Sequence, residues 1–223
     1  MKIARVEAFP IKLRQDGKAT ENLREEDLND FGDYVISRRH WTSIYPKHLE
    51  TTLVRIETDD GIVGWGEAFA PVGRRTPATV VEDICRTVIL GHDPHDVEYL
   101  WYRTYSSMRE RGHGTGFFVD ALSGVVQALW DIVGKALGKP VYKLLGGAYR
   151  EKVPAYAGFG GTDPERMAEQ AAAHVALGYR ALKLHSRVSN ARLLDIVGAV
   201  RERVGPEVTL RLDVHTTSSV SEA

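Results

Sequence analysis

The sequence predicts an α+β region followed by the first three strand–helix units of a parallel β/α barrel. Two observations carry this prediction. All four tryptophans lie before residue 131, so the two parts of the chain have cores of different composition. Beyond Glu151, segments typical of strands recur near residues 153, 180 and 208, and this spacing of about 27 residues matches one strand plus one crossover helix. We place the domain boundary between residues 138 and 139, which gives domains 1–138 and 139–223.

The first region opens with strands. Residues 2–10 alternate between apolar and polar side chains, and residues 51–58 and 62–66 predict a hairpin that turns through Asp59-Asp60-Gly61. Between them, residues 14–48 are polar, carry charges of both signs and show no clear period. We therefore expect a long loop there, functional or disordered in character.

Helices follow, with recognisable ends. Thr76-Pro77 begins one helix and Gly91 ends it, and Asp93-Pro94 begins the next. Residues 117–137 carry a helical apolar pattern that stops at Gly138-Lys139-Pro140. The sequence thus predicts a long apolar helix at the end of the first region.

The second region alternates strands and helices. Strands are expected at about 153–157, 180–185 and 208–213, and helices at about 163–178 and 189–204. Helical crossovers of this length connect parallel strands. A closed barrel of this type needs eight strands and about 250 residues of its own. We therefore expect the chain to be a truncated piece of a longer protein.

Composition and charge exclude several classes of function. The chain is 43% apolar and 26% charged, with a net charge of -1, which gives no reason to expect nucleic acid or a membrane as partner. The lone Cys85 cannot form an internal disulfide, and the first residues lack the apolar run of a signal peptide. These features predict a cytoplasmic protein.

Reactive side chains end two of the predicted barrel strands. Because side chains alternate along a strand, Lys183 and His185 share one face of the second strand, and Asp213 and His215 continue one face of the third. The intervening leucines share the opposite faces, which would pack on helices. Catalytic groups of β/α barrels lie at this end of the strands, so we expect the four polar side chains to converge there.

Two segments resemble a known family. Residues 52–68, with Gly64-Trp65-Gly66-Glu67, and residues 128–147, with Trp130-Asp131, are similar to the N-terminal part of the enolase superfamily, in its mandelate racemase and muconate lactonizing enzyme branch. The resemblance implies an α+β capping domain over a (β/α) TIM-type barrel. It also implies an Mg²⁺-dependent enzyme that acts on a small carboxylic acid and, at full length, forms a homo-oligomer.

The resemblance also implies roles for the four polar residues. The second barrel strand of the family ends in a Lys-x-Lys pattern whose second lysine is a base; here the pattern is Lys183-Leu184-His185, with histidine in place of that lysine. Asp213 matches a carboxylate that binds the divalent metal, and His215 stands where relatives often carry a substrate-contacting Asn. The remaining metal ligands and the opposing base of the family come from later strands.

These residues suit removal of a proton next to a carboxylate. Histidine serves as a base near neutral pH, so we expect His185 to exchange the proton while Lys183 holds the substrate carboxylate and His215 donates a hydrogen bond or acts as an acid. Asp213 is an oxygen ligand of the kind Mg²⁺ prefers. Structural roles stay open for each residue: a snorkelling lysine, a core histidine, an aspartate that caps a turn.

The favoured function is dehydration of an acid sugar, a hydroxy-carboxylate, to a 2-keto acid. This preference rests on the cationic residues of the 14–48 segment, such as Arg38, Lys47 and His48, which would suit a hydroxylated substrate. The alternative is a solvated loop in which these charges only balance the acidic residues nearby. A racemase, an epimerase or a cycloisomerase of the same superfamily is the alternative. Two further possibilities are a catalytically inactive fragment that acts as a folding or assembly module and an unrelated phosphate-binding protein, although no glycine-rich phosphate loop follows a strand.

Overall fold

The computed structural model describes residues 1–13, 28–37, 42–186 and 188–213. The strands are β1 (Ile3–Leu13), β2 (Leu28–Phe31), β3 (Tyr34–Ser37), β4 (Ser43–Pro46), β5 (Leu49–Thr58), β6 (Val63–Ala68), β7 (Ala157–Gly160), β8 (Ala181–His185) and β9 (Thr209–Asp213). The helices are α1 (Arg75–Val80), α2 (Arg86–Ile89), α3 (Val97–Ser107), α4 (Phe117–Leu137), α5 (Val141–Leu144), α6 (Pro164–Ala176) and α7 (Asn190–Val204). A π-helical turn, Val81–Cys85, connects α1 to α2.

The chain forms two compact units. Unit 1 comprises residues 1–14 and 48–151, and unit 2 comprises residues 15–47 and 152–223. The 138/139 domain boundary stays a prediction.

Unit 1 is built on an antiparallel sheet of order β1-β5-β6. On β5, alternate residues such as Val54 and Ile56 are fully buried, as expected for a sheet with one face on a core. That core also contains residues from the π-helical turn, α3 and α4, including Cys85, Leu100 and Leu129. The predicted first strand, hairpin and long helix are all present, so unit 1 has the expected α+β architecture.

Helix α4 approaches β6 closely because the contact is made of glycines. A β-carbon at Gly66 would lie 2.0 Å from the backbone oxygen of Gly124, and one at Gly64 would lie 2.1 Å from that of Ala128. No side chain fits in either place, so the backbones of strand and helix pack directly on each other.

Polar side chains of the same helix cover the free edge of β6. Asp131 Oδ2 accepts from the Trp65 amide at 2.9 Å, Gln127 Nε2 donates to the Glu67 carbonyl at 3.0 Å, and Lys135 Nζ donates to the Val63 carbonyl at 2.7 Å. Residues four apart on α4 thereby meet alternate residues on the strand. The helix occupies the position of a fourth strand and satisfies edge groups that would otherwise be unpaired.

Within the described part of the chain, α4 is the one helix whose length and apolarity would suffice to cross a membrane. More than half of its apolar stretch (56%) is buried inside the protein. Helix α4 is the central core helix of unit 1, and it ends at the left-handed residue Gly138, as predicted.

Part of the predicted loop at residues 14–48 is a small antiparallel sheet of order β2-β3-β4. The β2–β3 turn contains Gly32 at φ 69°, whose amide donates to Asp30 Oδ1 at 3.0 Å. The prediction of a structureless loop is wrong for these residues. Each strand has only four residues, too few for alternation to be visible in the sequence.

Unit 2 also holds a parallel sheet of order β7-β8-β9 with helical crossovers α6 and α7. The N-terminal caps of both helices are made by side chains: Asp163 accepts from the Arg166 amide and Ser189 from the Arg192 amide. Strand β7 begins four residues later than expected, at Ala157, because the predicted segment contains Pro154, which has no amide to donate to a ladder.

Candidate active site at the ends of the parallel strands

The register of the parallel sheet places the predicted site residues in two rows on one face. One row is Gly158, Lys183 and Arg211; the next, one step towards the carboxyl ends, is Gly160, His185 and Asp213. The opposite face carries Leu182 and Leu184, which are buried in the core formed with α6 and α7. The alternation expected from the sequence is confirmed for β8, but on β9 Leu210 is only partly buried and Leu212 is 50% exposed, so the expected apolar face of that strand is not covered within the described residues.

Lys183 and Asp213 form an ion pair between neighbouring strands. The Nζ atom of Lys183 lies 2.7 Å from Asp213 Oδ2, and the two side chains are 34% and 26% exposed. The hydrogen bond to Asp213 raises the pKa of Lys183 above its usual range. Lys183 is therefore an ammonium at neutral pH, a group that binds anions and does not act as a base.

His185 lies in the same row as Asp213, at the carboxyl end of β8. Its side chain is half-buried, and the Nε2 atom of its ring is shielded from solvent. On the β7 side, the residue paired with His185 is Gly160, so β7 contributes no side chain to that row. The structure thus brings Lys183, His185 and Asp213 together on the face where the sequence predicts them.

His215 lies outside the described residues, and its predicted role as hydrogen-bond donor or acid stays a prediction. Of the cationic residues in the 14–48 segment, Arg38 also lies outside them. Lys47 forms an ion pair with Asp30, which lowers the pKa of that carboxyl, and so it braces the β2–β3–β4 sheet. The ion pair with Asp30 accounts for Lys47 without any role in a polar substrate site.

Tyr156 is the site residue that sequence reasoning missed. It directly precedes β7, and its ring centroid lies 6.0 Å from Lys183 Nζ and 5.5 Å from the Arg211 guanidinium carbon. The sequence held a signal for it, because Tyr156 is two residues before Gly158 and strand alternation places both on one face.

The donor chemistry of this face suits Mg²⁺ only in part. Asp213 offers the hard carboxylate oxygens that Mg²⁺ prefers, but an octahedral ion needs several such ligands. Within residues 1–13, 28–37, 42–186 and 188–213, no group of three or more His, Cys, Asp or Glu side chains could hold a metal ion. Asp213 therefore fits as one ligand of a metal site to which other residues must contribute.

Two family models match the chain. Residues 40–146 match the mandelate racemase / muconate lactonizing enzyme N-terminal domain, and residues 166–223 match the enolase C-terminal domain-like model. Together the matches cover strands β5 and β6 and the helices of unit 1, and the strands that carry Lys183 and Asp213. The chain belongs to the enolase superfamily, in its mandelate racemase / muconate lactonizing enzyme branch.

Two curated relatives are named for acid sugars or their lactones. The chain is 39% identical over 176 residues to D-galactarolactone cycloisomerase of Agrobacterium fabrum, covering 77% of this chain and 46% of that protein. It is 36% identical over 171 residues to D-galactonate dehydratase of Pectobacterium atrosepticum, covering 73% of this chain and 44% of that protein. The chain spans about half the length of the curated relatives it matches.

A solved structure supports the same fold. The crystal structure of a member of the enolase superfamily from Agrobacterium tumefaciens superposes with a TM-score of 0.85 at 30% identity, covering 96% of this chain and 55% of that one. The resemblance stated from the sequence is confirmed. The relatives include dehydratases and isomerases, and they place this chain in a family of enzymes.

Proposed function

We propose that this chain provides one side of an active site that abstracts the α-proton of a hydroxy-carboxylate, and that the complete enzyme dehydrates an acid sugar to a 2-keto acid. The observation that carries the proposal is the Lys183–Asp213 ion pair at the carboxyl ends of β8 and β9, with His185 in the same row as Asp213. In this proposal the face provides a cation, a metal-type ligand and a base.

The cation has a binding role in this proposal. Lys183 keeps its proton because of Asp213, and an ammonium that is one-third exposed can bind an incoming carboxylate. Charge that develops on that carboxylate during proton abstraction is stabilised by a fixed cation close to it. Lys183 therefore contributes by orienting the acid and by favouring the enolate.

His185 is the proposed base. It follows Lys183 by two residues on the same face of β8, which separates their α-carbons by roughly 6.6 Å. A substrate held by its carboxylate at Lys183 can thus present its α-carbon towards the imidazole. Histidine takes up a proton near neutral pH without the desolvation that a lysine base requires.

Asp213 is the proposed metal ligand. When Mg²⁺ is bound, it supplies Lewis-acid stabilisation of the enolate oxygens. In the structure Asp213 Oδ2 accepts from Lys183, and the same carboxylate would hold the ion. His215, two residues further on, is the proposed hydrogen-bond donor or acid.

Dehydration is favoured over the alternatives by the relatives named as D-galactonate dehydratases. Cycloisomerisation of an acid-sugar lactone is a second candidate because the identity to D-galactarolactone cycloisomerase, 39%, is slightly higher than the 36% to D-galactonate dehydratase. Racemisation or epimerisation requires an acid on the opposite side of the substrate. A cytoplasmic location and a homo-oligomeric assembly remain predictions, and an inactive assembly module is the outcome if no acid is turned over.

The test is a screen of acid sugars and their lactones with the protein expressed from its complete gene. We expect a 2-keto acid, trapped as its semicarbazone, from a hydroxylated acid in the presence of Mg²⁺ and none after chelation. A lactone interconverted without 2-keto acid would replace dehydration by cycloisomerisation. Inversion at the α-carbon alone would indicate an epimerase.

A further inference from the structure

Tyr156 contacts two cations on the inner face of the parallel sheet. The ring centroid lies 6.0 Å from Lys183 Nζ and 5.5 Å from the Arg211 guanidinium carbon. Both distances are within the range in which the negative face of an aromatic ring attracts a cation.

The two cations are neighbours in the sheet. The register pairs Lys183 directly with Arg211, and paired residues of adjacent strands are only about 5 Å apart. Like charges in such a pair repel each other. A ring that attracts both reduces this repulsion and allows both side chains to stay on the same face.

The position of the ring also limits where Lys183 can go. On the β7 side, the residue paired with Lys183 is Gly158, which has no side chain, and a β-carbon there would meet nothing within 4 Å. The Tyr156 ring, one row lower, is therefore the neighbouring side chain on that side. It contacts Lys183 on the side of the strands' amino ends, while the Nζ atom extends towards the carboxyl ends to Asp213, one row further along on β9.

We propose that Tyr156 is a positioning residue that holds the ammonium of Lys183 in the place from which it meets Asp213 and the substrate carboxylate. The inference rests on the proposed function for the part played by Lys183. The aromatic ring performs the role and the phenol hydroxyl does not, because both contacts are made to the face of the ring. Tyr156 does not touch the reacting atoms.

The kinetic test compares Tyr156→Leu with Tyr156→Phe in the complete enzyme. Removing the ring should lower kcat/KM about two- to fivefold, since a cation–π contact between partly exposed groups is weak. Tyr156→Phe should match wild type in both constants, since it keeps the ring. Tyr102→Leu, at an exposed position on α3, is the matched control and should leave both constants unchanged.

Two outcomes of this comparison overturn the inference. Equal activity of Tyr156→Leu and wild type removes any positioning role. A loss in Tyr156→Phe as large as in Tyr156→Leu assigns the effect to the hydroxyl.

A second measurement needs no substrate. Lysines are ¹³C-methylated reductively, and the Lys183 resonance is assigned by its absence from Lys183→Arg. We expect it upfield of the free dimethyl-lysine position in wild type and Tyr156→Phe because of the ring current, and close to the free position in Tyr156→Leu. A wild-type Lys183 resonance at the free position overturns the inference without any Tyr156 variant. Absence of turnover in the acid-sugar screen contradicts the proposed function alone, because this resonance still reports the contact.

Discussion

The Nζ atom of Lys183 lies 2.7 Å from Asp213 Oδ2, although the register pairs Lys183 with Arg211 and Asp213 with His185. The lysine therefore reaches one row towards the carboxyl ends of the strands. This diagonal contact turns two strand residues into one site, because it directs the ammonium to the edge where His185 also lies.

Replacing Asp213 by Asn should abolish activity while the sheet stays folded. The amide keeps the shape of the carboxylate, but it binds neither Mg²⁺ nor the Lys183 ammonium with comparable strength. We expect kcat/KM to fall by more than about a hundredfold. Mn²⁺ binding followed by electron paramagnetic resonance should weaken in parallel.

Asp195→Asn is the control for this charge change. It removes the same charge from an exposed position of α7 in the same unit. Its activity and Mn²⁺ binding should match wild type. Unaltered Mn²⁺ affinity in Asp213→Asn would show that Asp213 is not a ligand.

Replacing His185 by Asn should stop exchange of the substrate α-proton. Asn cannot take up a proton, so the α-position of the acid should retain hydrogen in D₂O, as measured by ¹H NMR. His95→Asn is the control because His95 bonds to Asp93 in the turn that precedes α3, within unit 1. Exchange that continues in His185→Asn would assign the base to another residue.

Gly66→Ala should destabilise unit 1. The new methyl carbon would lie 2.0 Å from the Gly124 carbonyl oxygen, so α4 must move away from β6. We expect the free energy of unfolding in urea to fall by more than about 2 kcal/mol. Gly198→Ala, within α7 and with nothing within 4 Å of its β-carbon, should be stabilising by about 0.5–1 kcal/mol. Equal stability of Gly66→Ala and wild type would contradict the backbone contact.

The Cys85 thiol should be unreactive in the folded protein. Burial raises its pKa to about 12, so the native state favours the neutral thiol. That contribution to stability is complete below the unfolded pKa, near 8.5, and is lost as the pH rises towards 12. At pH 8, labelling by a thiol reagent should be at least about a hundredfold slower in buffer than in urea. An added thiol at the exposed Glu169, made as Glu169→Cys, should react fast in both.

Much of the fold could be predicted because it depends on local patterns. The hairpin of β5 and β6, helix α4 and the three parallel strands each have a period and end signals that a sequence displays. The β2–β3–β4 sheet could not be predicted from the sequence, because strands of four residues are specified by their pairing and not by alternation. The π-helical turn at Val81–Cys85 also carries no sequence signal distinct from the surrounding helix.

The candidate site could be predicted as a face but not as a set of contacts. Alternation places Lys183, His185 and Asp213 on one side of two strands. Their pairing depends on the register between β8 and β9, which the helix α7 crossover sets and the sequence does not display. The place of Tyr156 depends on the start of β7, which differs from the predicted one by four residues.

Helix α4 also has a consequence for the synthesis of the protein on the ribosome. Its 21 residues are apolar enough to be mistaken for a membrane segment, so an uncovered α4 would attract chaperones, lipids or other nascent chains. Strands β5 and β6 are synthesised earlier, and β6 carries Gly64, Gly66 and the edge backbone groups that α4 contacts. The surface that shelters the helix thus emerges from the exit tunnel before the helix does.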